Sequence, residues 1–352
     1  LNPAVFLIER KQKYLFANSI ICCILVILKI LLCKFYFLLK LIILKTNNRG
    51  LMKKFTFLFI VLTSSMLCYA ENPQWMNFTN GDHINAIVEE GNTMWVGTGG
   101  GLVSIDKTTG DPTFYNRANS GLSDNYIYSI VIDGSGIKWI GTSYGLAKFD
   151  GTNWTVYNKS NSDLPDNSVL SIAIDGSGNK WIGTANGLTR FDGTSWTVYN
   201  KSNSGLPNNY VTSIVIDESS NKWIGTWNGG LAIFDGTNWT VYDTTNSGLP
   251  DNYVYSIAID GSDTKWIGTW RGGLVKFDGA NWTVYNKSNS DLPNDTISSI
   301  AIDVSSNKWI GTNDGLVQYD GTNWIIYNES NSSLPNNDVT SIAIDGSGNK
   351  WI

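Results

Sequence analysis

His83 is the only histidine of the chain, and the four cysteines, Cys22, Cys23, Cys33 and Cys68, all precede residue 70. A Ser-His-Asp or Cys-His arrangement would have to be built on His83, which stands beside Asp82. A surface or strand-edge histidine is the simpler expectation. Residues 71–352 can hold neither a disulfide framework nor a Cys- or His-rich zinc site. Paired carboxylates could cleave a glycosidic bond, but Asp133, Asp175, Asp217, Asp260, Asp303 and Asp345 recur in step along the chain. A side chain present in every unit serves the unit, here by accepting hydrogen bonds from turn backbone. Asp175-Gly-Ser177-Gly-Asn179 opens like a calcium loop, yet Asn186 stands where an EF-hand needs its bidentate Glu. No catalytic residue, metal site or cofactor is assigned.

Recognition chemistry is better represented. Near-identical stretches differ at six short inserts: Gly99-Gly100, Ser143-Tyr144, Ala185-Asn186, Trp227-Asn228, Trp270-Arg271 and Asn313-Asp314. Tyr144, Trp227 and Trp270 could offer aromatic platforms, while Asn186, Arg271, Asn313 and Asp314 could direct hydrogen bonds. Aromatic faces beside planar polar groups suit sugars, which present C–H patches and hydroxyls. The competing reading is drift in a solvent loop, with both tryptophans packed on neighbouring units.

The elements that position these residues follow from a repeat. The phrase Lys-Trp-Ile-Gly-Thr, or a close variant, places tryptophans at 95, 139, 181, 223, 266, 309 and 351, a period of 42 to 44 residues. A second series at 154, 196, 239, 282 and 324 runs in phase. One unit reads as four strands. Tyr128 to Asp133 is an apolar β-branched run, expected to be buried on both faces. Lys138 to Thr142 is the second strand, Gly145 to Asp150 the third, and Trp154 to Asn158 the fourth after an Asp-Gly turn. Four strands in about 42 residues is the formula of a β-propeller, whose blades cannot bury both faces alone and pack side by side.

The expected domain plan follows. Residues 1–51 read as translated upstream sequence outside the mature protein or, alternatively, as a membrane segment over Ile20 to Leu44. Residues 52–70 read as a signal peptide, with Lys53 and Lys54 before an apolar run and a cut after Ala70. Residues 71–352 form an all-β propeller of four-stranded blades. Trp75 to Asn80 resembles a lone fourth strand, six full units follow, and a seventh is cut short at Ile352, so seven blades are expected. Residues 71–352 carry 15 basic and 29 acidic residues. That balance opposes nucleic-acid and anionic-membrane binding and permits neutral or cationic partners.

Ile172-Ala-Ile-Asp175, Trp181-Ile-Gly-Thr184, Gly187-Leu188, Phe191-Asp192 and Gly205-Leu-Pro-Asn-Asn209 together resemble the two-component regulator propeller repeat. The resemblance covers roughly residues 75–352. It implies an exported bacterial sensing module, periplasmic, surface-bound or secreted, whose partner is a membrane-bound signalling or surface protein. The leading functional expectation is non-enzymatic binding of an oligo- or polysaccharide. A protein-interaction scaffold and a propeller lyase or hydrolase are the alternatives.

Overall fold

In a computed structural model, residues 83–352 are described. They form six four-stranded antiparallel sheets and one two-stranded pair, each with its strands in chain order. The first sheet comprises β1 (Ile84–Glu90), β2 (Thr93–Thr98), β3 (Gly101–Asp106) and β4 (Pro112–Tyr115). The first strands of blades two to six are β5 (Ile127–Ile132), β9 (Val169–Ile174), β13 (Val211–Ile216), β17 (Val254–Ile259) and β21 (Ile297–Ile302). Six four-stranded blades are present where seven blades, the last cut short, were expected: the seventh unit contributes only β25 (Ala343–Ile344) paired with β26 (Lys350–Trp351). Trp75 to Asn80, the segments 1–51 and 52–70, and Cys68 lie outside the described residues.

Each first strand touches the first strands of its neighbours, and β25 touches both β21 and β1. First strands therefore surround an axis, and the seventh sheet stands between the sixth and first blades. Interblade hydrogen bonds say the same. Asn85 Nδ2 donates to Ile127 O and Thr212 Oγ1 to Val254 O, each reaching the start of the next first strand. Thr340 Oγ1 donates to Ile84 O, the same bond made from the seventh sheet to the first. On the other flank, Ser299 Oγ accepts Ile342 N–H as Ser129 accepts Ile172 and Ser171 accepts Ile214.

The first strand is not buried on both faces, contrary to expectation. In β5 only Ile127 and Ile130 are buried while the remaining residues are half-buried, because this strand borders the axis. The second strand, Lys138–Thr142 in blade two, is the one buried throughout. Gly141 is required there: a Cβ would stand 2.6 Å from Val169 O of the next blade. The core is a series of interblade layers, such as Trp139 and Leu146 of one blade against Leu164, Val169, Ile182 and Phe191 of the next.

The repeated acids do more than cap turns. Asp133 accepts the N–H groups of Ser135 and Ile137, and its Oδ2 accepts Trp139 Nε1–H at 3.0 Å. Lys180, from the following blade, lies 3.7 Å from that carboxylate and 4.7 Å from the centre of the Trp139 ring. The trio repeats as Asp217, Trp223 and Lys265, and as Asp260, Trp266 and Lys308. Burial of these carboxyls would raise their pKa, but the indole, backbone and lysine contacts outweigh it and hold them below the usual range. A buried lysine is tolerated because a carboxylate and an indole face receive it together.

Candidate functional site

Backbone hydrogen bonds decide which loops share a face. Ser143 N–H donates to Tyr126 O, Trp227 N–H to Tyr210 O and Trp270 N–H to Tyr253 O. Each loop between second and third strands is thus tied to the residue entering its own first strand. Gly145, Gly230 and Gly273 donate to Asn167, Asn252 and Asp295, in the linkers to the following blades. Loops and linkers lie together at the end of the axis where first strands begin.

Two of these loops are longer. Thr142 Oγ1 donates to Gly145 O across three residues, but Thr226 and Thr269 span four, to Gly230 and Gly273. Asn228 absorbs the extra residue at a φ of 61°, a left-handed conformation that Asn adopts more readily than most side chains. Trp227 and Trp270 open these two loops.

Their rings meet. Trp227 and Trp270 stack at 5.9 Å between ring centres, with planes 29° apart. Tyr253 meets both, edge-on to Trp227 at 4.9 Å and at 5.3 Å from Trp270. Tyr210 and Tyr255 each lie 5.8 Å from Trp227. The Arg271 guanidinium carbon sits 4.0 Å from the Trp270 ring centre. Burial pushes the Tyr210 hydroxyl up, and the nearby Tyr128 hydroxyl of blade two adds to it. Tyr255 is raised by burial first, then by Tyr210, Asp251 and Tyr253, against the opposing charge of Arg271. The result is one aromatic surface on blades four and five.

The remaining candidates divide. Asn186 is exposed, and its Oδ1 accepts Asn209 Nδ2–H at 3.2 Å. With Pro165, Asn200, Lys201, Ser202 and Asn209 it lines an open polar hollow of about 510 Å³. Asn209 leads directly into Tyr210, which places the start of the aromatic surface one residue from the hollow. Tyr144 is 58% exposed on blade two and stands apart from the tryptophan pair. Asn313 and Asp314 are exposed on blade six, where Asp314 Oδ2 accepts Asn294 Nδ2–H at 2.8 Å. The structure therefore gathers Trp227, Trp270 and Arg271, sets Asn186 beside them, and leaves Tyr144, Asn313 and Asp314 separate.

Three contributors were missed in sequence, Tyr210, Tyr253 and Tyr255, and Tyr126 and Tyr128 form a separate aromatic pair on blade two. The signal that could have found them was the same variation between repeats, one residue before and one after the first position of the first strand. Both positions are aromatic in blades two and five and the first is Tyr210 in blade four, where the second is Thr212, but they are Ser168 and Leu170 in blade three and Thr296 and Ser298 in blade six. His83 is exposed at a φ of 41°, and its carbonyl accepts Gly99 N–H. Among the described residues no group of three or more His, Cys, Asp or Glu is placed to hold a metal ion, and no helix is long and apolar enough to cross a membrane.

Fold and face together define a β-propeller with one differentiated mouth. The particular likeness is to the extracellular domain of the hybrid two component system BT3049 from B. thetaiotaomicron, at 26% identity and a TM-score of 0.67 over 78% of this chain. This chain covers 38% of that domain's length. PorZ, a surface component of the type-IX secretion system of Porphyromonas gingivalis, matches at 18% identity and a TM-score of 0.61, with 46% of its length covered. Virginiamycin B lyase from Staphylococcus aureus matches at 15% identity and a TM-score of 0.64, with 97% of its length covered. The last two likenesses are of fold alone. No known family profile and no curated protein matches the chain.

Proposed function

We propose that the propeller is an extracytoplasmic, non-enzymatic recognition module that binds an oligo- or polysaccharide at the mouth formed by blades three to five. The observation that carries this is the cluster of Tyr210, Trp227 and Trp270 rings at one end of the axis, with the Asn186–Asn209 hollow one residue away in the chain. A saccharide chain alternates hydroxyls with C–H faces, and polar groups near an aromatic surface meet both. The likeness to an extracellular domain of a two component system supports an extracytoplasmic location and a membrane-bound signalling partner. The seventh sheet, set between sixth and first blades, supports a ring of seven positions.

A catalytic reading of the same ring is the alternative, since a lyase shares the fold. A histidine-to-alanine variant of that lyase is described as catalytically inactive, whereas catalysis by histidine here would rest on exposed His83, which no carboxylate among the described residues orients. A glycan array probed with the purified protein and with Trp227→Ala/Trp270→Ala tests the proposal. The proposal expects saccharide binding that the double variant loses by tenfold or more, from the aromatic contact removed. Unchanged binding by the variant rejects these residues. Release of shortened products from a bound polymer would establish the catalytic alternative, and capture of protein without any saccharide the scaffold.

A further inference from the structure

Arg271 stands outside the series of lysines that recurs between blades, in which Lys222 lies over Trp181 and the other five have an acid. Lys138, Lys180, Lys265, Lys308 and Lys350 each stand within ion-pair distance of Glu90, Asp133, Asp217, Asp260 and Asp303 in turn. Arg271 has an acid at hand, because its own backbone N–H donates to Asp251 Oδ2 at 2.9 Å. Its side chain does not take that acid. The guanidinium lies over Trp270 instead, and its N–H donors make no hydrogen bond or ion pair among the described residues. The second residue of the other five loops is Gly100, Tyr144, Asn186, Asn228 or Asp314, so the blade fold does not require a cation here.

A guanidinium whose carbon sits 4.0 Å from an indole centre rests against the ring and leaves N–H donors for a ligand. Those donors match an oxyanion in a two-point, charge-assisted contact. We infer that the saccharide of this mouth carries an oxyanion, a sugar carboxylate or a sulfate ester, and that Arg271 reads it while the rest of the sugar lies along Trp227. This rests on the saccharide reading above. The surplus of acid over residues 71–352 does not forbid it, since a contact fork acts well inside the screening length of about 8 Å at physiological salt. Asp251 remains the nearby opposing charge, and its Oδ2 is occupied by the Arg271 backbone.

The experiment measures binding of the purified protein to uronate-containing oligosaccharides and their carboxyl-reduced counterparts, and to sulfated oligosaccharides and their desulfated counterparts. The inference expects one acidic set to bind roughly tenfold or more tightly than its neutral partner. That preference should vanish in Arg271→Gln, persist weakly in Arg271→Lys, and shrink as salt rises. Which set wins identifies carboxylate or sulfate. Equal binding of acidic and neutral partners, unchanged by Arg271→Gln, overturns the inference and leaves the saccharide reading standing. Binding by neither set, with Trp227→Ala/Trp270→Ala also silent, overturns both.

Discussion

Indole and phenol rings that gather outside a core need a reason, because burial alone would have placed them inside. Trp227 is 37% exposed and Tyr210 38%, while the repeat tryptophans such as Trp139 and Trp181 are 3% exposed. The two populations do different work, the second locking blades together and the first paving the mouth. Asn186 should contribute less than the rings. Asn186→Ala removes one directed hydrogen-bonding group at an exposed site, worth about 0.5–1.5 kcal/mol. The expected loss of saccharide affinity is about two- to twelvefold, smaller than that of the tryptophan pair, as read by titration calorimetry. A larger loss than the double tryptophan variant would shift the centre of recognition into the polar hollow.

Within the blade, the element that carries stability is the second strand with the acid before it. Asp217→Ala leaves Trp223 Nε1–H and buried Lys265 without their shared acceptor, a cost of about 1–3 kcal/mol. Asp217→Asn should cost less, since an amide oxygen can still accept the indole proton, and the ordering of melting temperatures checks this. Gly183→Ala presses a Cβ to 2.5 Å from Val211 Cγ1 of the next blade and should lower the melting temperature with no change in ligand preference. The acids also set a pH dependence. Asp133, Asp175, Asp217, Asp260, Asp303 and Asp345 all titrate lower in the folded chain than free Asp does. Their stabilisation is present above the unfolded value of about 3.9 and is lost as pH falls through their depressed folded values. Melting temperature should therefore hold from neutrality to about pH 5 and fall steeply below about pH 4.

Much of this element level was legible in sequence. The tryptophan period fixed the blade, the Asp-Gly pairs its turns, and the recurring acids a structural role. The lysine of Lys-Trp-Ile-Gly-Thr was not understood, because its partners, such as Asp217 for Lys265, sit in the preceding unit and only packing brings them together. Tyr210, Tyr253 and Tyr255 escaped for a related reason. Their significance depends on standing beside Trp227 and Trp270 around an axis, and spacing along the chain does not show which strand end meets which loop. Tyr144, Asn313 and Asp314 were chosen by the same variation that found Trp227, yet blade two lies away from the tryptophan pair and blade six carries Thr296 and Ser298 where blade five carries Tyr253 and Tyr255.

At the scale of the whole molecule, the mouth exists only because the units close into a circle. Chemistry at the closing seam differs from the other joints. Met94 stands where later blades carry lysine, fully buried among Val96, Ile105, Ala343 and Trp351. Glu89 stands where β5 carries Ile132, and it accepts Gly346 N–H from the seventh sheet and pairs with Lys107. The seam thus exchanges a cation over an indole for an apolar contact flanked by an ion pair. Residues that meet here are separated by most of the chain, and a straight stack of the same units would hold them at opposite ends.

With Cys22, Cys23, Cys33 and Cys68 changed to serine the chain contains no cysteine, so a pair introduced at Ile84→Cys and Thr340→Cys reports on closure without interference. Ile84 O and Thr340 Oγ1 are hydrogen-bonded, and a disulfide or a short bismaleimide should link the two thiols within one chain, in high yield and independently of protein concentration. Failure to link them, or linkage only between chains, would contradict the ring and with it the mouth assembled from Asn186, Tyr210, Trp227, Trp270 and Arg271.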